Sequence, residues 1–126
     1  MTAAGFLAVG VGAVLGAWLR WALSTWLNPL LPSLPLGTLL SNLVGGLLVG
    51  AAMAYFAAHA TLAPEWRLAC MTGFLGALTT FSTFSAESLQ LLMSAQYAAA
   101  GLHTFAHLLG SLAATGAGFA AFRLLA

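Results

Sequence analysis

The amino-acid sequence predicts an all-α membrane protein, a single transmembrane domain over residues 1–126 with four membrane-spanning helices. Three observations predict it. Hydrophobic residues fill 62% of the 126 positions and charged residues 4%, whereas soluble domains carry about 25% charged residues. Mean hydropathy is +1.02. Polar, proline-containing or charged punctuation then divides the chain into four apolar runs, each long enough for a hydrocarbon core that needs about 20 helical residues. With a net charge of +1 the chain has no basic footprint for nucleic acid. Cys70 is the only cysteine, which excludes a disulfide framework or thiolate metal cluster within one chain and leaves a small buried hydrophobe. No Lys or Arg precedes the first apolar run, which argues against a cleaved signal peptide.

The first run extends from Gly5 to Leu27 and is stopped by Asn28-Pro29, with Pro32 and Pro35 continuing the turn. Trp18, Trp21 and Trp26 gather toward its end, as interfacial anchors or as packing bulk. The second run, Gly37 to His59, closes at Ala60-Thr61-Leu62-Ala63-Pro64, with His59 at the interface. The third begins near Glu65-Trp66-Arg67 and reaches Met93; the fourth spans Ala99 to Leu125. Gly12-x-x-x-Gly16 and Gly46-x-x-x-Gly50 supply small faces on which helix backbones approach closely, without revealing the partner. The connections are short, so any chemistry must sit within the helices or at their mouths. Arg67 and Arg123 fall on one side of the membrane and Arg20 on the other, which gives almost no positive-inside signal. A chain with so little bias can insert either way up, which points to an antiparallel, dual-topology dimer. The alternative is one orientation fixed by Arg20.

Polar groups inside apolar helices are functional candidates by default. The second helix holds Thr38, Ser41 and Asn42, and the fourth holds His103, Thr104, His107, Ser111 and Thr115. The third is the outlier, with Thr79-Thr80-Phe81-Ser82-Thr83-Phe84-Ser85 followed by Glu87, Ser88 and Gln90. Gly73 and Gly76 stand just ahead of the β-branched Thr79 and Thr80, a poor helix interior, so a break is expected near Gly76 to Thr80. Carbonyls freed at such a break can coordinate a monovalent cation. The alternative is a continuous helix whose hydroxyls bond carbonyls one turn back. Phe81 and Phe84 share a face at i, i+3, as packing or as ring edges presented to an anion. Asn42, Ser82 and Thr83 offer donors without a lysine, which suits a small anion that must shed water.

These residues resemble the CrcB/Fluc family of fluoride channels over essentially the whole chain. The matching segments are Gly12-Ala13-Val14-Leu15-Gly16-Ala17-Trp18-Leu19-Arg20, Gly37-Thr38-Leu39-Leu40-Ser41-Asn42-Leu43-Val44-Gly45 and, most specific, Gly73-Phe74-Leu75-Gly76-Ala77-Leu78-Thr79-Thr80-Phe81-Ser82-Thr83-Phe84-Ser85. The resemblance implies a dual-topology homodimer in the inner (plasma) membrane, with two antiparallel fluoride pores lined by both subunits. It implies that Phe81 and Phe84 are the pore phenylalanines and Asn42 the pore asparagine, with Ser82 and Thr83 as nearby hydroxyls. It further implies a central structural Na+ held by backbone carbonyls around Gly76 and Thr79, Arg20 near the aqueous vestibule, and Glu87 as the acidic residue beyond the phenylalanine pair.

One departure stands out. Where the family carries a track of hydroxyl residues in the fourth helix, this chain has His103 and His107 at i, i+4, then Ser111, with Thr38 across the pathway. Neutral histidines would keep hydrogen-bond donors and add protonation near about pH 6.5; as a two-ligand metal clip they fall short of a tetrahedral zinc site. Passive fluoride export is the leading function. A proton-coupled small multidrug-type transporter is the runner-up, but it needs a carboxylate in the first helix, which has none. A scaffold would not need the polar run in the third helix, and no positioned nucleophile suggests an enzyme.

Overall fold

A computed structural model describes residues Met1–Ala126. It is all helical, and four helices are long and apolar enough to cross a membrane, over Ala3–Leu30, Leu36–Ala58, Pro64–Met93 and Tyr97–Leu125. Helix α1 (Ala3–Leu27) begins ahead of Gly5 because Thr2 caps it, its Oγ1 accepting the Gly5 N–H at 3.0 Å. A single 3-10 turn, Asn28–Leu30, follows. Helix α2 (Leu36–Ala58) starts behind Pro35, which has no side chain able to cap it.

The third span is not uniform. Pro64 opens it at a position where its missing N–H is harmless, residues Leu68–Leu75 are wound as a π-helix, and Gly76–Leu78 return to α geometry. We label residues 64–78 α3. Thr79 (φ −82°, ψ 153°) and Thr80 (φ −152°, ψ 116°) are extended, and helix α4 (Phe81–Met93) restarts behind them. Thr80 caps that restart, its Oγ1 accepting the Thr83 N–H at 3.1 Å. A tight corner then passes through Ala95, at φ 58°, where the Gln96 N–H reaches back to Leu91 O at 2.9 Å. This closure lets helix α5 (Tyr97–Leu125) begin earlier than Ala99.

Two helix pairs make the framework, and the small-residue motifs are the reason they close. In the pairing of α1 with α3, a Cβ at Gly12 would stand 2.2 Å from Ala69 O, and one at Gly16 2.1 Å from Phe74 O. Where α2 meets α5, a Cβ at Gly50 would stand 1.9 Å from Thr115 O and one at Gly118 1.9 Å from Leu47 O. Both glycine motifs are therefore consumed inside the chain. Ala52, Leu75 and Leu78 form the small buried core where α2 meets α3. Trp18, Trp21, Trp26 and Trp66 all lie exposed on the outer surface, at the positions of interfacial anchors.

This packing carries a stability prediction. Gly118→Val should lower the stability of the purified protein by about 1–3 kcal/mol, the usual range for forced overpacking. Gly116→Ala, two positions away and with nothing within 4 Å of the added carbon, should leave the melting temperature in detergent unchanged. Equal melting temperatures for the two variants would mean that α2 and α5 are not held by close backbone approach.

Candidate functional site

The extended step at Thr79 and Thr80 opens the backbone ladder inside a span, and its polar groups must find other partners. Asn42 of α2 supplies most of them. Its Oδ1 accepts the Thr80 N–H at 2.7 Å, and its Nδ2 donates to Thr80 O at 3.0 Å and to His107 Nδ1 at 2.9 Å. One amide thus ties α2 and α5 to the step that precedes α4. Arg20 contributes from α1, its Nε donating to Ala77 O at 2.9 Å near the end of α3. The Thr79 N–H and Oγ1 both donate to Leu75 O, at 3.0 and 2.8 Å. Gly76 remains helical, and its carbonyl takes none of these bonds.

The bonds on Asn42 also set a tautomer. A backbone N–H can only donate and a carbonyl can only accept, so the Thr80 contacts fix which end of the Asn42 amide is nitrogen. Nδ1 of His107 must then be an acceptor, which leaves the proton of the neutral ring on Nε2. That atom is buried and has no hydrogen-bond partner in the chain. A buried, directed and unpaired donor is an expensive arrangement for a protein that has no use for it.

Next to His107 stands a second cluster. The rings of His103 and His107 have centroids 4.5 Å apart, and Phe84 stacks on both, at 5.3 Å from His103 and 4.8 Å from His107. His103 is fully buried, with its Nε2 3.0 Å from Glu87 Oε2 and its Nδ1 3.0 Å from Ser88 Oγ. The other oxygen of Glu87, Oε1, accepts the Thr38 hydroxyl at 2.6 Å. Thr38 therefore meets the carboxylate of α4, and the histidine of α5 lies on the far side of that carboxylate. Glu87, His103 and His107 place ligand-type atoms within 4.8 Å of one another. Their hydrogen bonds nonetheless occupy the ring lone pairs that a transition metal would need, at His107 through Asn42 and at His103 through Ser88 or Glu87.

Two cavities adjoin this constellation. One, of about 320 Å³, is lined by Asn42, Thr80, Phe81, Phe84, His107 and Ser111 among others. Phe81 is 70% exposed beside it and meets Phe84 edge-on, with centroids 5.3 Å apart. The other, of about 170 Å³, leads to Glu87 past Pro35, Gln90, Ser94 and Gln96. Ser82 and Thr83, the remaining sequence candidates, gather around the Thr80 hydroxyl at 3.3 and 3.1 Å, so in the single chain they serve the start of α4. No Lys or Arg lines either cavity. In the larger cavity the chemistry on offer is that of neutral polar groups and ring edges, able to replace water around a small anion and unable to trap it as a fixed positive charge would.

Sequence reasoning overlooked Asn28. It read the residue as a stop signal, whereas the structure places its side chain on the first turn of α2, with Oδ1 accepting the N–H groups of Gly37 and Thr38 at 2.8 and 3.1 Å. A signal for it existed: Pro35 leaves α2 without a local cap, and a short amide side chain beyond the end of α1 is a suitable substitute.

The CrcB-like protein family (CrcB, camphor resistance) matches the chain over residues 7–119. A protein of Cupriavidus pinatubonensis described as a fluoride-specific ion channel is 57% identical over 122 residues, 97% of each chain. One of Ralstonia pickettii with the same description is 58% identical over 119 residues, 94% of each. One of Thiobacillus denitrificans, again so described, is 54% identical over 120 residues, 95% of this chain and 97% of its own.

Proposed function

The chain belongs to the CrcB-like family, and from that premise we propose that it is a fluoride-selective ion channel that lets the anion leave the cytoplasm passively. The observation that carries this reading is the lane beside Phe81 and Phe84, lined by neutral polar side chains with no Lys or Arg, one of which, His107, holds a buried and unpaired Nε2–H. Fluoride is small and strongly hydrated, so a pathway must replace water with donors fixed at close range. His107 and Ser111 line that space with Asn42 behind them, its amide protons held by Thr80 O and His107 Nδ1, and the phenyl edges of Phe81 and Phe84 are weaker partners. Glu87, Thr38 and His103 hold the mouth on the other side. Fluoride enters cells as neutral HF and dissociates inside, so a passive leak for the trapped anion lowers the load without an energy source.

The working unit is an antiparallel homodimer in the plasma membrane. The cavity beside Phe81 is open on one side of the single chain, and a second copy would wall it. The near balance of Arg67 and Arg123 against Arg20 supports insertion in both orientations. The step at Thr79 and Thr80 is the candidate sodium site. The resemblance assigns the ion to the carbonyls of Gly76 and Thr79, and the hydrogen bonds at the step go to the neighbouring Leu75, Ala77 and Thr80 carbonyls instead. A bound Na+ would supply fixed positive charge near an anion path.

Purified protein in liposomes should release fluoride rapidly in the presence of potassium and valinomycin, read with a fluoride electrode, and should retain chloride. Equal chloride release, or fluoride release only with an imposed proton gradient, would overturn the channel reading; the second result is what the multidrug-type alternative requires.

A further inference from the structure

Asn28 lies outside both cavities adjoining the permeation site, yet it begins a chain of hydrogen bonds that ends inside the fourth span. We infer that Asn28 is a positioning residue: it fixes the direction of the Thr38 hydroxyl and thereby the way Glu87 and His103 are held. The inference rests on the fluoride-channel reading for its functional meaning, though its geometry does not.

The argument is one of donors and acceptors. The Oδ1 atom of Asn28 accepts two backbone N–H groups, from Gly37 and Thr38, so its identity as oxygen is not in doubt and Nδ2 is a donor. Nδ2 lies 3.1 Å from Thr38 Oγ1 and donates to it. The hydroxyl has one proton. Asn28 occupies one lone pair and an ionised carboxylate can only accept, so that proton points to Glu87 Oε1, 2.6 Å away. Thr38 is fully buried, which keeps water from redirecting it. Oε1 of the carboxylate is thereby the acceptor from Thr38, and Oε2 lies opposite His103 Nε2 at 3.0 Å. An amide at the first corner of the fold thus orients a carboxyl group in the third span and an imidazole in the fourth. Without the amide, the Thr38 proton could turn to the Gly37–Ser41 turn or elsewhere, and Glu87 would lose the partner that holds it against α2.

The plainer role for Asn28 is to cap α2 and nothing more. Asn28→Asp separates the two, because its carboxylate retains an oxygen able to cap and has no proton for Thr38, while Asn28→Ser shortens the side chain and replaces the amide N–H with a single hydroxyl proton. Fluoride efflux in both variants should fall by about tenfold, the effect of one lost hydrogen bond to a charged group. The carboxylate stretch of Glu87, identified by infrared difference against Glu87→Gln, should shift in both. Thr38→Val, of similar volume and lacking the hydroxyl, should reproduce both effects, and adding Asn28→Ser to it should cause no further loss. Parental efflux with an unshifted band in Asn28→Asp would overturn the inference and leave a cap. So would a fully additive double variant, or loss of folded protein in both Asn28 variants. Absence of fluoride efflux from the parental protein would instead count against the channel reading, and the infrared shift would still decide the role of Asn28.

Discussion

Fluoride efflux should disappear in Phe81→Ile while the folded protein remains as stable as the parent. Phe81 opens α4 directly behind the extended step and is 70% exposed in the single chain, so its ring fills no part of the intrachain core. Its one aromatic partner is Phe84, met edge-on at 5.3 Å with an interplanar angle of 62°. Isoleucine keeps the bulk and the apolar character but has no quadrupole, so the positive ring edge is lost and the wall of the lane is not. A partly dehydrated anion in a low-dielectric span is unstable by several kcal/mol wherever a partner is missing. Since each 1.36 kcal/mol in a barrier is a factor of about ten in rate, the expected fall is on the order of a hundredfold or more. Electrode traces from matched proteoliposomes check this, with the melting temperature as control. Efflux close to the parental rate would mean that Phe81 is lipid-facing bulk and that the ion travels elsewhere.

Asn42→Asp should have a comparable effect by a different route. Aspartate preserves the oxygen that accepts the Thr80 N–H, so the extended step keeps one of its two ties. It removes both amide donors, the one to Thr80 O and the one to His107 Nδ1. His107 would then place a proton on Nδ1 to meet the new carboxylate and withdraw it from Nε2, the buried atom that has no partner in the chain. A negative charge would also stand beside an anion path. One donor lost to an anion, at about 1.5–3 kcal/mol, together with the added negative charge corresponds to an efflux loss on the order of a hundredfold or more. The unpaired Thr80 carbonyl should in addition lower stability by about 1–3 kcal/mol in detergent melts. Retained efflux in this variant would remove Asn42 and the His107 tautomer from the pathway.

The four spans were legible because apolar length and punctuation are local properties, and their ends shifted by one or two residues, at the first helix because Thr2 caps it from outside the apolar run. The small-residue motifs were legible as close-packing faces but not as to partner, since nothing in Gly12-x-x-x-Gly16 or Gly46-x-x-x-Gly50 says which helix it meets. In the third span the glycines drew attention to residues 76–80. In the structure Gly73 serves the contact with α1, where a Cβ would stand 2.7 Å from Val9 O, and the extended backbone belongs to the two threonines. Thr79 keeps its own hydrogen bonds to Leu75, and Thr80 has its N–H and C=O met by a side chain from another span, which no window along the chain can reveal. The same limit hid the Glu87–His103 contact and the Thr38–Glu87 bond, joined across sequence separations of 16 and 49 residues. Spacing alone pairs His103 with His107. The carboxylate between His103 and Thr38 emerges only once α2, α4 and α5 are assembled.

The Asn42 clamp also bears on how the protein is made. Each span must enter the bilayer before it can pack against another, and hydrocarbon offers no partner for an open peptide group. The third span on its own has nothing to replace the Asn42 amide or the Arg20 guanidinium, which come from α2 and α1. The extended step is therefore paired only where α1 and α2 already stand beside it, so its geometry depends on the first two spans being in place and not on the third span alone.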